Sequence, residues 1–153
     1  MKPRPKPLLH LFMHIGKLMS EEITASLADL GVHHAQGRLL SILAHEGALP
    51  QAELARGMGI RPPTLTTMLR PLEERGLVQR RPSPTHGRIK LVSLSRRGKQ
   101  VAQRVEDSWN QVEKQALTNI PRGERKLLRK QLELVREALG GHPHDIPAHK
   151  EDR

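Results

Sequence analysis

The sequence contains no cysteine among its 153 residues, which excludes disulfides, thiolate metal sites and thiol-based catalysis or redox sensing. Aromatic side chains are nearly missing as well: Phe12 and Trp109 are the only two, and there is no tyrosine. The core must therefore be aliphatic. Reading single strands by stacking bases on aromatic faces is not an option for this chain. No apolar run approaches the roughly 20 residues that span a bilayer. The opening Met-Lys-Pro-Arg-Pro-Lys-Pro has the charge of a secretion signal's first segment, but His10, His14 and Lys17 break the apolar stretch after it, and no small-residue cleavage site appears. A cytoplasmic chain with no membrane partner is expected. Phosphate loops, nucleophile elbows and metal triads are absent too, so neither an enzyme nor a bound cofactor is expected.

Acids are scarce relative to bases. Lys and Arg total 26 against 16 Asp and Glu, a net charge of +10, which points to a polyanionic partner with nucleic acid first. Nine histidines raise the question of a metal. His10 and His14 stand at i, i+4, His33 and His34 are adjacent, and His142, His144 and His149 lie near the end. No acid or cysteine completes a ligand set, so these read as surface or interface histidines and no metal is expected.

Residues 1–7 alternate Pro with Lys or Arg and read as a flexible basic arm. Apolar residues then recur at helical spacing from Leu8 to Leu30, and Gly31 supplies a stop. A second helix is expected over about 33–46, a third over 51–57, and a tight turn over 57–60. Pro62 and Pro63 open a fourth helix, where a missing N–H costs least, and Gly76 ends it. Residues 77–81 and 89–94 read as strands joined by a polar loop rich in Pro and Gly. Ser95 can cap a fifth helix whose stripe runs from Val101 to Ile120; a sixth follows Pro121 and stops at Gly140-Gly141. Residues 140–153 read as a disordered tail. Four helices followed by a β-hairpin do not suit a parallel-sheet enzyme. They suit a mainly α fold: a helix-turn-helix with a hairpin wing, flanked by N- and C-terminal helices.

On the fourth helix, Leu65, Met68, Leu69 and Leu72 fall on one face. Pro63, Thr67 and Arg70 fall opposite with Thr66 at the flank, and the acids Glu73 and Glu74 sit at the C-terminal end. An N-terminal half that is short-chained, hydroxyl-bearing and basic is what a major groove admits: Thr can meet base edges or thymine methyls, and Arg can be bidentate to guanine. Residues 61–90 hold seven basic residues, Arg61, Arg70, Arg75, Arg80, Arg81, Arg88 and Lys90, against two acids. Arg80, Arg81 and Arg88 flank the hairpin loop, where they can lie along phosphates or in a minor groove. The competing reading of this charge is a solvated hairpin edge protected from aggregation.

Four segments in one ordered register, Leu54–Ile60, Pro62–Thr66, Leu72–Val78 and Lys90–Ser95, together resemble the MarR family of bacterial winged-helix regulators. The match covers roughly residues 8–139, and Val32–Gln36 resembles the family's second-helix start. The resemblance implies a homodimer, a palindromic duplex-DNA operator, and a small-molecule effector crevice between the dimerisation and DNA-binding parts. By position it makes Thr64, Thr66, Thr67 and Arg70 recognition-helix contacts and Arg88 the wing arginine, with Arg61 where a capping Ser or Thr is usual. Trp109, His14 and Arg38 are candidates to line the crevice, Trp109 alternatively packing in the dimer core. Departures stand beside these matches. His86-Gly87-Arg88 replaces an Asp followed by two Arg, removing an internal wing ion pair. Pro50 replaces a capping Thr, and Pro71 should bend the recognition helix by removing a bond to Thr67.

The apolar stripes of the outer helices exceed what one chain can cover. Leu8, Leu11 and Ile15 at one end, and Leu128, Leu132, Val135 and Leu139 at the other, need partners, and a second copy provides them. The expected organisation is an arm over 1–7, a dimerisation helix within 8–32, a DNA-binding unit over 33–94, dimerisation helices within 95–139, and a tail over 140–153. Two rival readings remain: a sequence-neutral nucleoid-like DNA protein, and a winged-helix module that binds protein instead of DNA.

Overall fold

The structure, a computed structural model, describes residues 7–141. The expected basic arm apart from Pro7, and the expected tail from His142 onward, lie outside the described residues. Six helices and three short strands follow in the order α1 (Leu8–Leu27), α2 (His34–Glu46), β1 (Leu49–Pro50), α3 (Gln51–Met58), α4 (Pro62–Glu74), β2 (Val78–Pro82), β3 (Lys90–Leu94), α5 (Arg96–Ala116) and α6 (Arg122–Ala138). Among the described residues, no helix is long and apolar enough to cross a membrane.

The core is aliphatic, as the composition requires. Leu27, Leu39, Leu40, Leu54, Leu65, Leu69, Leu72 and Leu77 are wholly enclosed, and Val92, Ala102 and Val105 are among the residues that pack with them. Helix α2 sits at its centre and buries Gln36, Gly37, Leu39, Leu40, Ser41 and Leu43. Gly37 permits that position, because a Cβ there would lie 3.2–3.4 Å from Val105, Leu27 and Trp109. At the N-terminus of α2, the His33 ring accepts from Gln36 N–H while the Gln36 side chain accepts from His33 N–H. This is a capping box with imidazole in the usual place of a hydroxyl. Further along, Glu106 of α5 takes His45 at 2.8 Å and the Ser41 hydroxyl at 3.3 Å, tying the two helices together.

The hairpin pairs antiparallel with Arg80 opposite Val92, and β1 adds on the other side of β3 with Leu49 opposite Val92. This third strand goes beyond the sequence reading, since two residues carry no readable alternation. The first helix ends at Leu27, with a single 3-10 turn over Ala28–Leu30 where the spacing suggests a continuous helix to Leu30. Arg75 secures that turn by donating to the carbonyls of Leu30 and Gly31 at 2.7 and 2.6 Å. The fifth helix closes at Ala116, short of the expected Ile120, because Arg125 reaches back to the Leu117 and Ile120 carbonyls and shapes the turn into α6. Pro71 does not end α4, which continues to Glu74.

Gly76 closes α4 with a positive φ of 67°, and Leu77 N–H reaches the Leu72 carbonyl across it. That left-handed closure turns the chain into β2 within two residues. Gly98 is needed for a different reason. A Cβ there would lie 1.9 Å from the Leu77 carbonyl oxygen, so only glycine lets the first turn of α5 sit against the start of the wing. Ser95 reinforces this junction by donating to the Gly76 carbonyl and accepting from Gly98 N–H.

Candidate nucleic-acid interface

Helix α4 lies on the core through Leu65, Leu69 and Leu72, each fully enclosed, with Met68 half-buried beside them. That spine leaves Arg61, Pro63, Thr64, Thr67 and Arg70 exposed along the opposite face, and Thr66 half-buried at its margin. Arg61 precedes the helix in an extended conformation and makes no side-chain cap. Neither does Pro50 before α3. Pro62 and Pro63 bring no N–H to the first turn of α4, so the missing side-chain cap leaves few orphan donors there, and no acid stands in that turn to repel an anion. The hydroxyls of Thr66 and Thr67 donate to the carbonyls one turn back, Pro62 and Pro63, both at 3.1 Å.

The hairpin wing presents Arg81, His86, Arg88 and Lys90 to solvent, with Arg81 donating to the Gln79 side chain at 3.0 Å. In place of an ion pair, a hydroxyl organises its tip. Ser83 Oγ accepts from the backbone N–H groups of Thr85 and His86, and Ser83 N–H donates to Ile89 O at 2.7 Å. His86 Nδ1 lies 3.1 Å from Thr85 Oγ1.

Arg80 departs from the expectation of a phosphate contact. Its guanidinium turns inward and forks onto Glu73, Nε to Oε1 and Nη2 to Oε2, both at 2.6 Å. The hydrogen bond to Glu73 is the chief reason its pKa rises above the ordinary arginine value; partial burial opposes the rise, and the nearby carboxylate charge adds to it. Neither Glu73 nor Gln51, which Arg80 Nη1 also reaches at 3.4 Å, stands out by composition, because a charge count treats a paired arginine like a free one.

The residues expected to line a ligand crevice come from three helices, α1, α2 and α5. His14 is exposed on α1, Arg38 reaches the Gly57 carbonyl at 3.3 Å, and Trp109 packs edge-on against His34 with ring centroids 6.0 Å apart. The Trp109 indole N–H is buried without a hydrogen-bond partner among the described residues. Two grooves are lined by other side chains. One, of about 550 Å³, runs between α1 and α5 beside Glu22, Ser26, Gln111 and Lys114. The other, of about 450 Å³, lies between the turn after α1, the end of α4 and the start of α5, beside Arg75, Arg97 and Arg104.

Of the residues expected to meet a second copy, Leu8, Leu11, Ile15, Leu132, Val135 and Leu139 are exposed and Leu128 is half-buried. Exposure reaches 70% at Leu8 and 83% at Leu139, and α6 contributes no buried residue.

A helix pair with a tight turn, a second helix standing on an aliphatic spine, and an adjoining two-stranded hairpin define a winged helix-turn-helix protein. The MarR family model matches residues 32–90. The HTH-type transcriptional repressor Rv2887 of Mycobacterium tuberculosis is 30% identical over 127 residues, covering 83% of this chain and 91% of that protein. The chain belongs to the MarR family of transcriptional regulators. Two solved structures share its fold. A mutant MarR from E. coli complexed with operator DNA has a TM-score of 0.73 at 24% identity, covering 85% and 94% of the two chains. An S. aureus MepR–DNA complex has a TM-score of 0.76 at 20% identity, covering 88% and 99%.

Proposed function

We propose that this chain is a sequence-specific duplex-DNA-binding regulator that acts as a homodimer, represses by occluding a promoter, and is released by a small-molecule effector. The observation that carries the DNA reading is the exposed face of α4, where Thr64, Thr67 and Arg70 stand opposite Leu65, Leu69 and Leu72, with Arg81, Arg88 and Lys90 on the wing beside it. Thr64, Thr67, Arg70 and the margin residue Thr66 face base edges; Arg61, Pro63, Arg81 and Arg88 follow the backbone. Arg80 is left out of the contact set. The DNA complexes of the two structurally similar proteins support this docking.

Dimerisation follows from the uncovered stripes of α1 and α6. A second copy related by a two-fold axis would cover them and place the paired reading helices in successive major grooves, roughly 34 Å apart on a palindromic site. An effector in the arginine-lined groove would bridge the end of α4 and the start of α5, biasing the spacing of the two reading helices. Repression rests on the name of the mycobacterial relative.

Fluorescence anisotropy on the intergenic DNA beside the chain's own gene, against a scrambled duplex of equal length at about 150 mM salt, tests the reading. A preference of about a thousandfold or more is expected. Equal, salt-abolished binding to both duplexes indicates a nucleoid-like protein. No binding to either indicates a protein-binding module.

A further inference from the structure

We propose that Gln51, Arg80 and Glu73 are positioning residues that hold Thr66 so that it reads DNA through its methyl group and not through its hydroxyl. The inference rests on the DNA-reading role proposed above for α4. The Arg80 guanidinium is gripped on two nitrogens by Glu73, at the C-terminal end of the same helix. Its remaining Nη1 donates to the Gln51 carbonyl oxygen at 3.4 Å, and the Gln51 amide nitrogen donates to Thr66 Oγ1 at 2.9 Å. Thr66 Oγ1 in turn donates to the Pro62 carbonyl at 3.1 Å.

Every donor in this chain of bonds points the same way. An arginine offers no acceptor, so the Gln51 carbonyl must face it and the amide NH2 must face Thr66. The Thr66 hydroxyl then receives one hydrogen and gives away its own, and each bond polarises the next. No hydroxyl proton remains for a base acceptor. With its proton committed, Thr66 cannot address a base acceptor such as thymine O4, and what it brings to a thymine edge is its methyl group, which suits the C5-methyl. The relay also joins β2, the start of α3 and both ends of α4, so the wing base and the reading helix are held as one body while Arg80 neutralises Glu73 and no phosphate.

The test compares Thr66→Val, which keeps the methyl, with Thr66→Ser, which keeps the hydroxyl, on the native fragment and its scrambled control. Thr66→Val should retain more of the native-over-scrambled preference than Thr66→Ser. Gln51→Leu should lower the preference about threefold to tenfold, the loss expected from one hydrogen bond. Arg80→Gln should leave the slope of log K against log salt unchanged, whereas Arg88→Ala should make it shallower by about one phosphate's worth. Thermal unfolding of each variant separates misfolding from misreading. A Ser variant that outperforms Val overturns the methyl reading, as do variants both indistinguishable from wild type. A slope that falls on Arg80→Gln overturns the relay. A wild-type chain with no preference between the duplexes overturns the regulator reading and this one together.

Discussion

Gly98→Ala should destabilise the protein, although alanine is the better helix former. An added Cβ would stand 1.9 Å from the Leu77 carbonyl oxygen and 2.9 Å from its carbon, far inside van der Waals contact, and the obstacle is backbone, not a side chain that can swing away. Leu77 is fully buried, and its carbonyl accepts from Ser95 N–H at 3.0 Å. Forcing the two elements apart costs about 1–3 kcal/mol as overpacking and about 1 kcal/mol more if the Ser95 bond is lost. The propensity gain offsets about 1 kcal/mol. The net expectation is a loss of about 1–3 kcal/mol, from the overpacking and hydrogen-bond costs less that offset. Gly57→Ala in α3 is the control: nothing lies within 4 Å of its added Cβ and its φ is not positive, so it should stabilise by about 0.5–1 kcal/mol. Urea unfolding at one fixed protein concentration measures both, since association shifts apparent stability. A Gly98→Ala protein as stable as wild type would refute the claim that this contact sets the junction of wing and α5.

Three further outcomes are expected. Leu132→Asp combined with Ile15→Asp should give a monomer by sedimentation equilibrium, because both side chains stand on the uncovered stripes of α6 and α1; an undisturbed dimer would move the interface elsewhere. His33→Ala should cost about 1 kcal/mol in denaturant unfolding by removing the acceptor for Gln36 N–H, and His33→Ser should restore most of it; equal stability of Ala and Ser would remove the cap from the account. Arg75→Leu should cost about 1–3 kcal/mol and raise hydrogen exchange at the turn after α1, because two carbonyls lose a charged donor; unchanged exchange there would count against the clamp.

Helical periodicity makes the long elements readable. Leu65, Leu69 and Leu72 stand out by spacing alone because an amphipathic helix must turn one face inward, and the structure encloses all three. The unread parts depend on single contacts. Leu49-Pro50 is a strand only because β3 lies beside it. The inward turn of Arg80 depends on Glu73 arriving from seven residues away in sequence, a pairing that periodicity does not encode. Likewise the tip of the wing is set by the Ser83 hydroxyl, which composition marks only as a polar loop residue. The grooves escape the sequence for the same reason: the side chains lining the one beside Arg75, Arg97 and Arg104 come from three separate elements.

Helix α6 spans 17 residues yet buries none of them in its own chain. Its own chain supports it through little more than the half-buried Leu128 and the Arg125 bonds to the Leu117 and Ile120 carbonyls, and most helical stability in proteins comes from tertiary packing. Under the dimer reading, maturation of the regulator becomes a second-order event, and its pace follows how often newly made copies meet. Cells holding few copies would accumulate half-finished chains whose final helix frays and invites proteases, while abundant chains would mature and persist. The amount of working regulator would then rise more steeply than the amount synthesised, a nonlinearity that originates in one thinly supported helix.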